Sequence, residues 1–171
     1  SSCSQTIVVN DEIAPVFTFV PADETVECDA VPAVGVPTAS DNCDAEVAIV
    51  YNGENRTDGV CADSYTLTRS WTATDNCGNS VDASQVITVQ DTQAPVLSAQ
   101  AVDLTVECDG AGNASDLNAW LASNGGAVAA DNCGQVNWSN DFTALSDLCG
   151  ATGSATVVFT ATDDCGNAVT T

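Results

Sequence analysis

The segment at 71–80 reads WTATDNCGNS, and the segment at 159–168 reads FTATDDCGNA. Two stretches this alike, 88 positions apart (Trp71 to Phe159), restrict the chain to architectures that use one unit twice. Further pairs agree. DEIAPVF at 11–17 returns as DTQAPVL at 91–97, and TVECD at 25–29 returns at 105–109, both offset by 80. SDNC at 40–43 returns as ADNC at 130–133, offset by 90. Each unit is therefore about 80–88 residues long, and the second carries a ten-residue insertion between Cys108 and Cys133.

The units read as β. In YTLTRSWTAT, Tyr65, Leu67, Arg69, Trp71 and Ala73 face one way, and the intervening Thr and Ser residues face the other. Period-two alternation of this kind predicts a half-buried strand. SATVVFTAT repeats it, with Ala155, Val157, Phe159 and Ala161 inward, and SQVITVQD and EVAIVYN are further strands. Short strands, turn residues and this unit length predict an all-β chain of tandem immunoglobulin-like β-sandwiches. Trp71 and Trp138 are expected in the cores, and the Arg69 stem over Trp71 with its head reaching an acid. The insertion predicts a short helix in the second sandwich. Ser115 would be its N-cap, Asn124 and Gly125 would stop it, and Leu117, Trp120 and Leu121 would pack one face.

The expected organisation is residues 1–10 as the last strand of a preceding repeat or a donor strand, repeat 1 over 11–90, and repeat 2 over 91–171. SQTIVVND at 4–11 aligns with SQVITVQD at 84–91, while repeat 2 stops before its own last strand. Either the residues belong to a longer array, or the N-terminal strand of one subunit completes the open sandwich of the next.

Charge and missing residue types exclude whole classes of function. Two basic residues, Arg56 and Arg69, face 24 acids, and the net charge is −22. Nothing could neutralise phosphates, so nucleic acid is excluded as a partner, and docking on anionic membranes is disfavoured. The chain has no His, which removes Ser-His-Asp and Cys-His nucleophiles and His-ligated zinc. No stretch reaches the length of a membrane span. Paired carboxylates serve glycosidases, but here they recur once per unit in turn loops, as structural motifs do, and no enzyme is expected.

Nine cysteines, none in a C-x-x-C pair, point to disulfides in an oxidising compartment. If the strands between Cys28 and Cys43 and between Cys61 and Cys77 are continuous, sequence neighbours lie too far apart to bond. In an immunoglobulin-like sandwich, Cys28 and Cys61 would share one pole, and Cys43 and Cys77 the other. The expected pairs are therefore Cys28–Cys61 and Cys43–Cys77, and by repetition Cys108–Cys149 and Cys133–Cys165, with Cys3 unpaired within the chain.

The same geometry gathers acids at one pole. Asp11, Asp41, Asn42 and Asp75 are expected to converge in repeat 1, and Asp91, Asp131, Asn132 and Asp163 at the junction between the repeats, where a bound ion would stiffen it. Oxygen-only clusters suit Ca²⁺, although Asp and Asn also cap turns through their own backbones. No organic cofactor is expected. Asn55, Asn113 and Asn137 head N-x-S/T triplets, which would matter only in a eukaryotic secretory pathway.

D-x-x-AP, DN, W/F-T-ATD-x-x-GN and S-Q-x-I-x-V-x-D together resemble the HYR-type immunoglobulin-like repeat. With TVECD, DNC, ATDxCGN and the inserted AWLASNGGA, both units are similar to cysteine-rich tandem repeats of very large Bacteroidota surface proteins. Those resemble type IX secretion cargo, including gliding-motility adhesins. In such repeats a fifth Cys often precedes the S/T-Q-x-I-x-V strand. Cys3 matches that position and Ala83 departs from it, which implies a Cys3 partner upstream of residue 1 or in another subunit. The resemblance implies an extracellular, non-catalytic stalk or filament module. Its partners would be neighbouring repeats or identical subunits and an unidentified surface or glycan target. A self-assembling fibre subunit is the second expectation and a carbohydrate-binding accessory module the third. The third lacks an exposed aromatic platform.

Overall fold

The computed structural model describes residues 3–146 and 152–171. The described chain is all-β apart from one short α-helix and two single 3-10 turns. It divides into two compact units. Unit 1 comprises Ser1–Val26, Ala30–Thr57 and Thr66–Val89, and unit 2 comprises Glu27–Asp29, Asp58–Tyr65 and Gln90–Thr171.

Unit 1 contains β1 (Val16–Phe19) and β3 (Thr38–Ser40), which pair antiparallel. Its second sheet has the order β2 (Glu24–Glu27), β6 (Ser80–Gln90), β5 (Tyr65–Thr74), β4 (Ala48–Asp58). The alternation that predicts β5 is realised residue by residue. Leu67, Arg69, Trp71 and Ala73 are buried, and the Thr and Ser residues between them are half-buried. On the neighbouring β6, Gln85, Ile87 and Val89 complete the core. Trp71 meets Tyr51 of β4, with ring centroids 5.7 Å apart. Arg69 is buried at 3% exposure, and its head does reach an acid: Nε donates to Glu54 Oε2 at 2.7 Å. Nη1 and Nη2 donate to the Ala33 and Pro32 carbonyls, so the buried guanidinium has acceptors on three sides.

Unit 2 contains the antiparallel pair β7 (Val96–Ala99) and β8 (Val128–Ala130). Its other sheet has the order β11 (Ala168–Thr170), β10 (Phe159–Thr162), β9 (Asn137–Asn140). Phe159 and Ala161 point into the core, as expected. Trp138 lies opposite Ala161 but is only half-buried. The expected strand from Ser154 shrinks to Phe159–Thr162, and Ala155 is exposed. The cause is a shortage of partners. Each neighbour of β5 is 11 residues long, whereas β9 has four. Outside the ladder the segment is held by local bonds: Val158 N–H donates to Asp141 Oδ1, and Ser154 N–H to Ser146 Oγ.

The insertion forms α1 (Ala114–Ala122). Its N-cap is Asn113, at φ 53°, rather than Ser115, which falls in the first turn. Asn113 prevails because its side chain bridges outward, donating to the Glu107 carbonyl and accepting from the Asp109 N–H. Trp120 packs edge-on against Phe159 with centroids 5.1 Å apart, and Nε1 donates to the Val102 carbonyl at 2.8 Å. Left-handed Asn124 and Gly125 end the helical stretch, as their identities imply.

Candidate metal centres

A D-x-C-G-N turn stands beside each candidate centre, and its asparagine holds the carbonyl of that centre's first acid. In repeat 1, Asp75 Oδ1 accepts from the N–H groups of Cys77 and Asn79 at 2.9 and 2.8 Å. Asn79 Nδ2 donates to Asp75 Oδ2 at 2.7 Å and to the Asp11 carbonyl at 3.3 Å. In repeat 2, Asp163 Oδ1 accepts from Cys165 and Asn167 at 2.8 and 2.9 Å. Asn167 Nδ2 donates to Asp163 Oδ2 at 2.8 Å and to the Asp91 carbonyl at 3.2 Å. Gly78 and Gly166 occupy φ 93° and 94°, the left-handed region that closes the turn and favours glycine. Desolvation pushes the carboxyls of Asp75 and Asp163 up, but the Asn and backbone N–H donors outweigh it. Both are held below the usual carboxylate range.

The remaining acids form a different kind of contact. Asp11 Oδ1 accepts from Ile13 N–H, and Asp41 Oδ1 from Cys43 and Asp44 N–H. Asp91 Oδ1 accepts from Gln93 N–H, and Asp131 Oδ1 from Cys133 N–H. These are Asx turns, in which one carboxylate oxygen holds the local backbone. In all four residues Oδ2 is buried and accepts from no group among the described residues. Burial, relieved in part by Gln93 N–H, together with the charges of Asp131, Asp163 and Glu27, pushes the Asp91 carboxyl up.

One carboxylate oxygen from each of Asp11, Asp41 and Asp75 lies within 4.8 Å of the other two. In unit 2 the corresponding trio is Asp91, Asp131 and Cys133 Sγ. Of the eight residues expected at metal centres, five are thus brought together. Asn42 turns its Nδ2 to Cys43 Sγ, Asn132 is exposed, and Asp163 stands outside the trio that includes Cys133.

The cysteines depart from the expected pattern. Cys28 bonds to Cys133, with Cα atoms 5.8 Å apart, and Cys61 bonds to Cys165 at 5.1 Å. The expected Cys28–Cys61 and Cys133–Cys165 pairs are therefore replaced by bonds that join repeat 1 to repeat 2 in sequence. The reason is local. Cys28 follows the end of β2 and Cys61 follows the end of β4, and both segments belong to unit 2. Glu27 is fixed there too, accepting from the backbone N–H and the hydroxyl of Thr92 at 3.1 and 2.7 Å. Pairing within one repeat had treated each pole as self-contained.

Cys43 and Cys77 are not bonded to each other, so the expected bond is absent. Their loops are nonetheless tied, because Asp44 accepts from both the backbone and the side-chain amide of Asn76. Desolvation, then nearby carboxylates led by Asp11, pushes both thiols up. Cys3 is exposed. The Cys108–Cys149 expectation lies outside the described residues, because Cys149 does. Asp44 escaped the sequence reading since its counterpart in repeat 2 is Gly134, and so no repeat marked it.

Residues 17–89 match the family model described as an HYR-like domain with 4 cysteines. That segment contains Cys28, Cys43, Cys61 and Cys77. No curated protein matches the chain.

Proposed function

We propose that the chain is a stalk or filament module of a secreted bacterial surface adhesin, used for attachment or gliding. It would consist of tandem immunoglobulin-like sandwiches, and no catalysis is assigned to it. The observation that carries this reading is the pair of cystines, each joining one cysteine of repeat 1 to one of repeat 2. All four cysteines lie in unit 2, so the bonds fasten two segments of the repeat 1 sequence into that unit, which suits a module under tension. The HYR-like match favours an extracellular, adhesion-related setting, and disulfides suit an oxidising compartment. Among the described residues no helix is long and apolar enough to cross a membrane. The test is protease treatment of intact cells that express the parent protein. Release of peptides from this chain supports the reading, and full protection until lysis contradicts it.

A second reading, a self-assembling fibre subunit, is favoured by a groove in unit 2. In unit 1, β6 lies between β2 and β5. In unit 2 the counterpart of β2, residues 104–107, forms no strand, and Leu104 and Val106 stay 41% exposed. They line a groove of about 560 Å³ with Leu117, Trp120 and Val157. Residues 4–10 repeat the pattern of 84–90, form no strand, and leave Ile7 and Val9 89% exposed. The occupant in this reading is residues 4–10 of a second copy. Sedimentation of purified chain tests it. Oligomers abolished by Ile7→Asp with Val9→Asp support strand exchange, and a monomer at all concentrations contradicts it.

A further inference from the structure

Asp91 is 8% exposed, yet among the described residues its Oδ2 accepts no hydrogen bond, and neither does the Oδ2 of Asp131. Asp91 and Asp131 each bring a carboxylate oxygen within 4.8 Å of the other, and buried, bare carboxylate oxygens cost free energy unless a proton or a cation joins them. Arg69 does not supply that charge, being committed to Glu54, Pro32 and Ala33. The arrangement recurs in repeat 1, where Asp11 Oδ2 and Asp41 Oδ2 are buried and bare beside Asp75. In each case the partner oxygen, Oδ1, is already held by backbone N–H groups. The carboxylates are thus fixed in orientation before any ligand arrives.

We propose that each repeat carries a Ca²⁺ site, ligated by Asp91 and Asp131 in repeat 2 and by Asp11, Asp41 and Asp75 in repeat 1. Ca²⁺ takes 6–8 oxygens at roughly 2.3–2.6 Å and accepts irregular shells completed by water. Carboxylate oxygens within 4.8 Å of one another are within reach of one such ion. The donor set argues against softer metals. The chain has no His, and Cys133 Sγ is locked in its bond to Cys28, so it offers no thiolate. Mg²⁺ demands a near-octahedral shell at shorter distances, whereas Ca²⁺ accepts the irregular spacing of carboxylates already fixed by their backbone bonds.

The site also gives the D-x-C-G-N turn a second purpose. Asn167 holds the Asp91 carbonyl and Asn79 holds the Asp11 carbonyl, so each turn steadies the first carboxylate of its own site. The proposal does not depend on the adhesin reading, since any extracellular module could carry such sites.

The test is calorimetric titration of CaCl₂ into the chelator-treated, oxidised chain, in enough KCl to screen its net charge. The expected result is two saturable sites. Asp91→Asn with Asp131→Asn should remove one, and Asp11→Asn with Asp41→Asn the other. Asn keeps an Oδ1 to accept the same backbone N–H and replaces only the bare oxygen. Each variant's circular dichroism spectrum and melting transition check that the fold is kept. Should a double variant fail to fold, single Asp91→Asn and Asp41→Asn variants carry the same comparison. No saturable binding would overturn the proposal, as would binding unchanged in folded variants or Mg²⁺ binding equal to that of Ca²⁺. The adhesin reading would survive any of these outcomes.

Discussion

Asn167 donates its side-chain amide to the main-chain carbonyl of Asp91 at 3.2 Å, across 76 positions of sequence. Asn79 makes the same bond to Asp11 at 3.3 Å. The residues that return in the repeated motif are those that tie a hairpin turn to the first residues of their own unit. Asn167→Ala removes two bonds, to Asp163 and to Asp91. Each such bond contributes about 1 kcal/mol, so Tm should fall by several degrees. Asn167→Asp should be worse, because it sets a third carboxylate against Asp163 and Asp91. Thermal melts of the two variants check the order, and an Asp variant as stable as the wild type contradicts it.

Arg69→Leu should destabilise unit 1 by about 1–3 kcal/mol, since the Pro32 and Ala33 carbonyls lose their donor while exposed Glu54 turns to water. Arg69→Lys should lie between, because it keeps the charge and loses the fork. Urea unfolding measures both. A Leu variant within about 0.5 kcal/mol of wild type would mean the guanidinium is replaceable by apolar contact.

Gly125 sits at φ 65°, and a Cβ there would meet Ala101 Cβ at 2.9 Å and Phe159 Cε2 at 3.1 Å. Gly125→Ala should therefore loosen the contact between Trp120 and Phe159, costing about 1–3 kcal/mol. Hydrogen exchange should show faster amide exchange over α1 while β5 is unchanged. Unaltered protection of α1 would contradict this.

Glu27, Asp75, Asp109 and Asp163 are all held below the usual carboxylate range. Thr92 is the main cause for Glu27, and the N–H groups of Ala111 and Asn113 for Asp109. For Asp75 and Asp163, their Asn partners and turn N–H groups overcome desolvation. A depressed folded pKa gives stability that is present above the unfolded value, about 4, and is lost as pH falls through the folded value. Melting temperature should therefore hold steady from neutral pH to about 5 and drop below about 4. A flat profile down to pH 2 would contradict the assignment.

Much of the architecture is legible in the sequence because alternation fixes which side chains turn inward. β5 shows it in every residue from Leu67 to Ala73. The turn chemistry is legible too, since Asp, Gly and Asn at fixed offsets admit few conformations. What escaped depends on residues distant in sequence. The strand expected from Ser154 needs a long neighbour, and β9, at four residues, does not supply one. Asn113 takes the N-cap position with its side chain spent on Glu107 and Asp109, a local loop contact that no capping pattern signals. The pairing of Cys28 and Cys61 depends on which unit their loops join, and no spacing within a single repeat encodes that. Among the acids, the Asx geometry follows from local sequence, whereas the bare Oδ2 atoms appear only once distant loops meet.

Two cystines close unit 2 around segments of the repeat 1 sequence, and a non-reducing peptide map of the oxidised chain locates them. The account predicts disulfide-linked peptides joining Cys28 to Cys133 and Cys61 to Cys165. Peptides joining Cys28 to Cys61 and Cys133 to Cys165, or free thiols at these four positions, would contradict it.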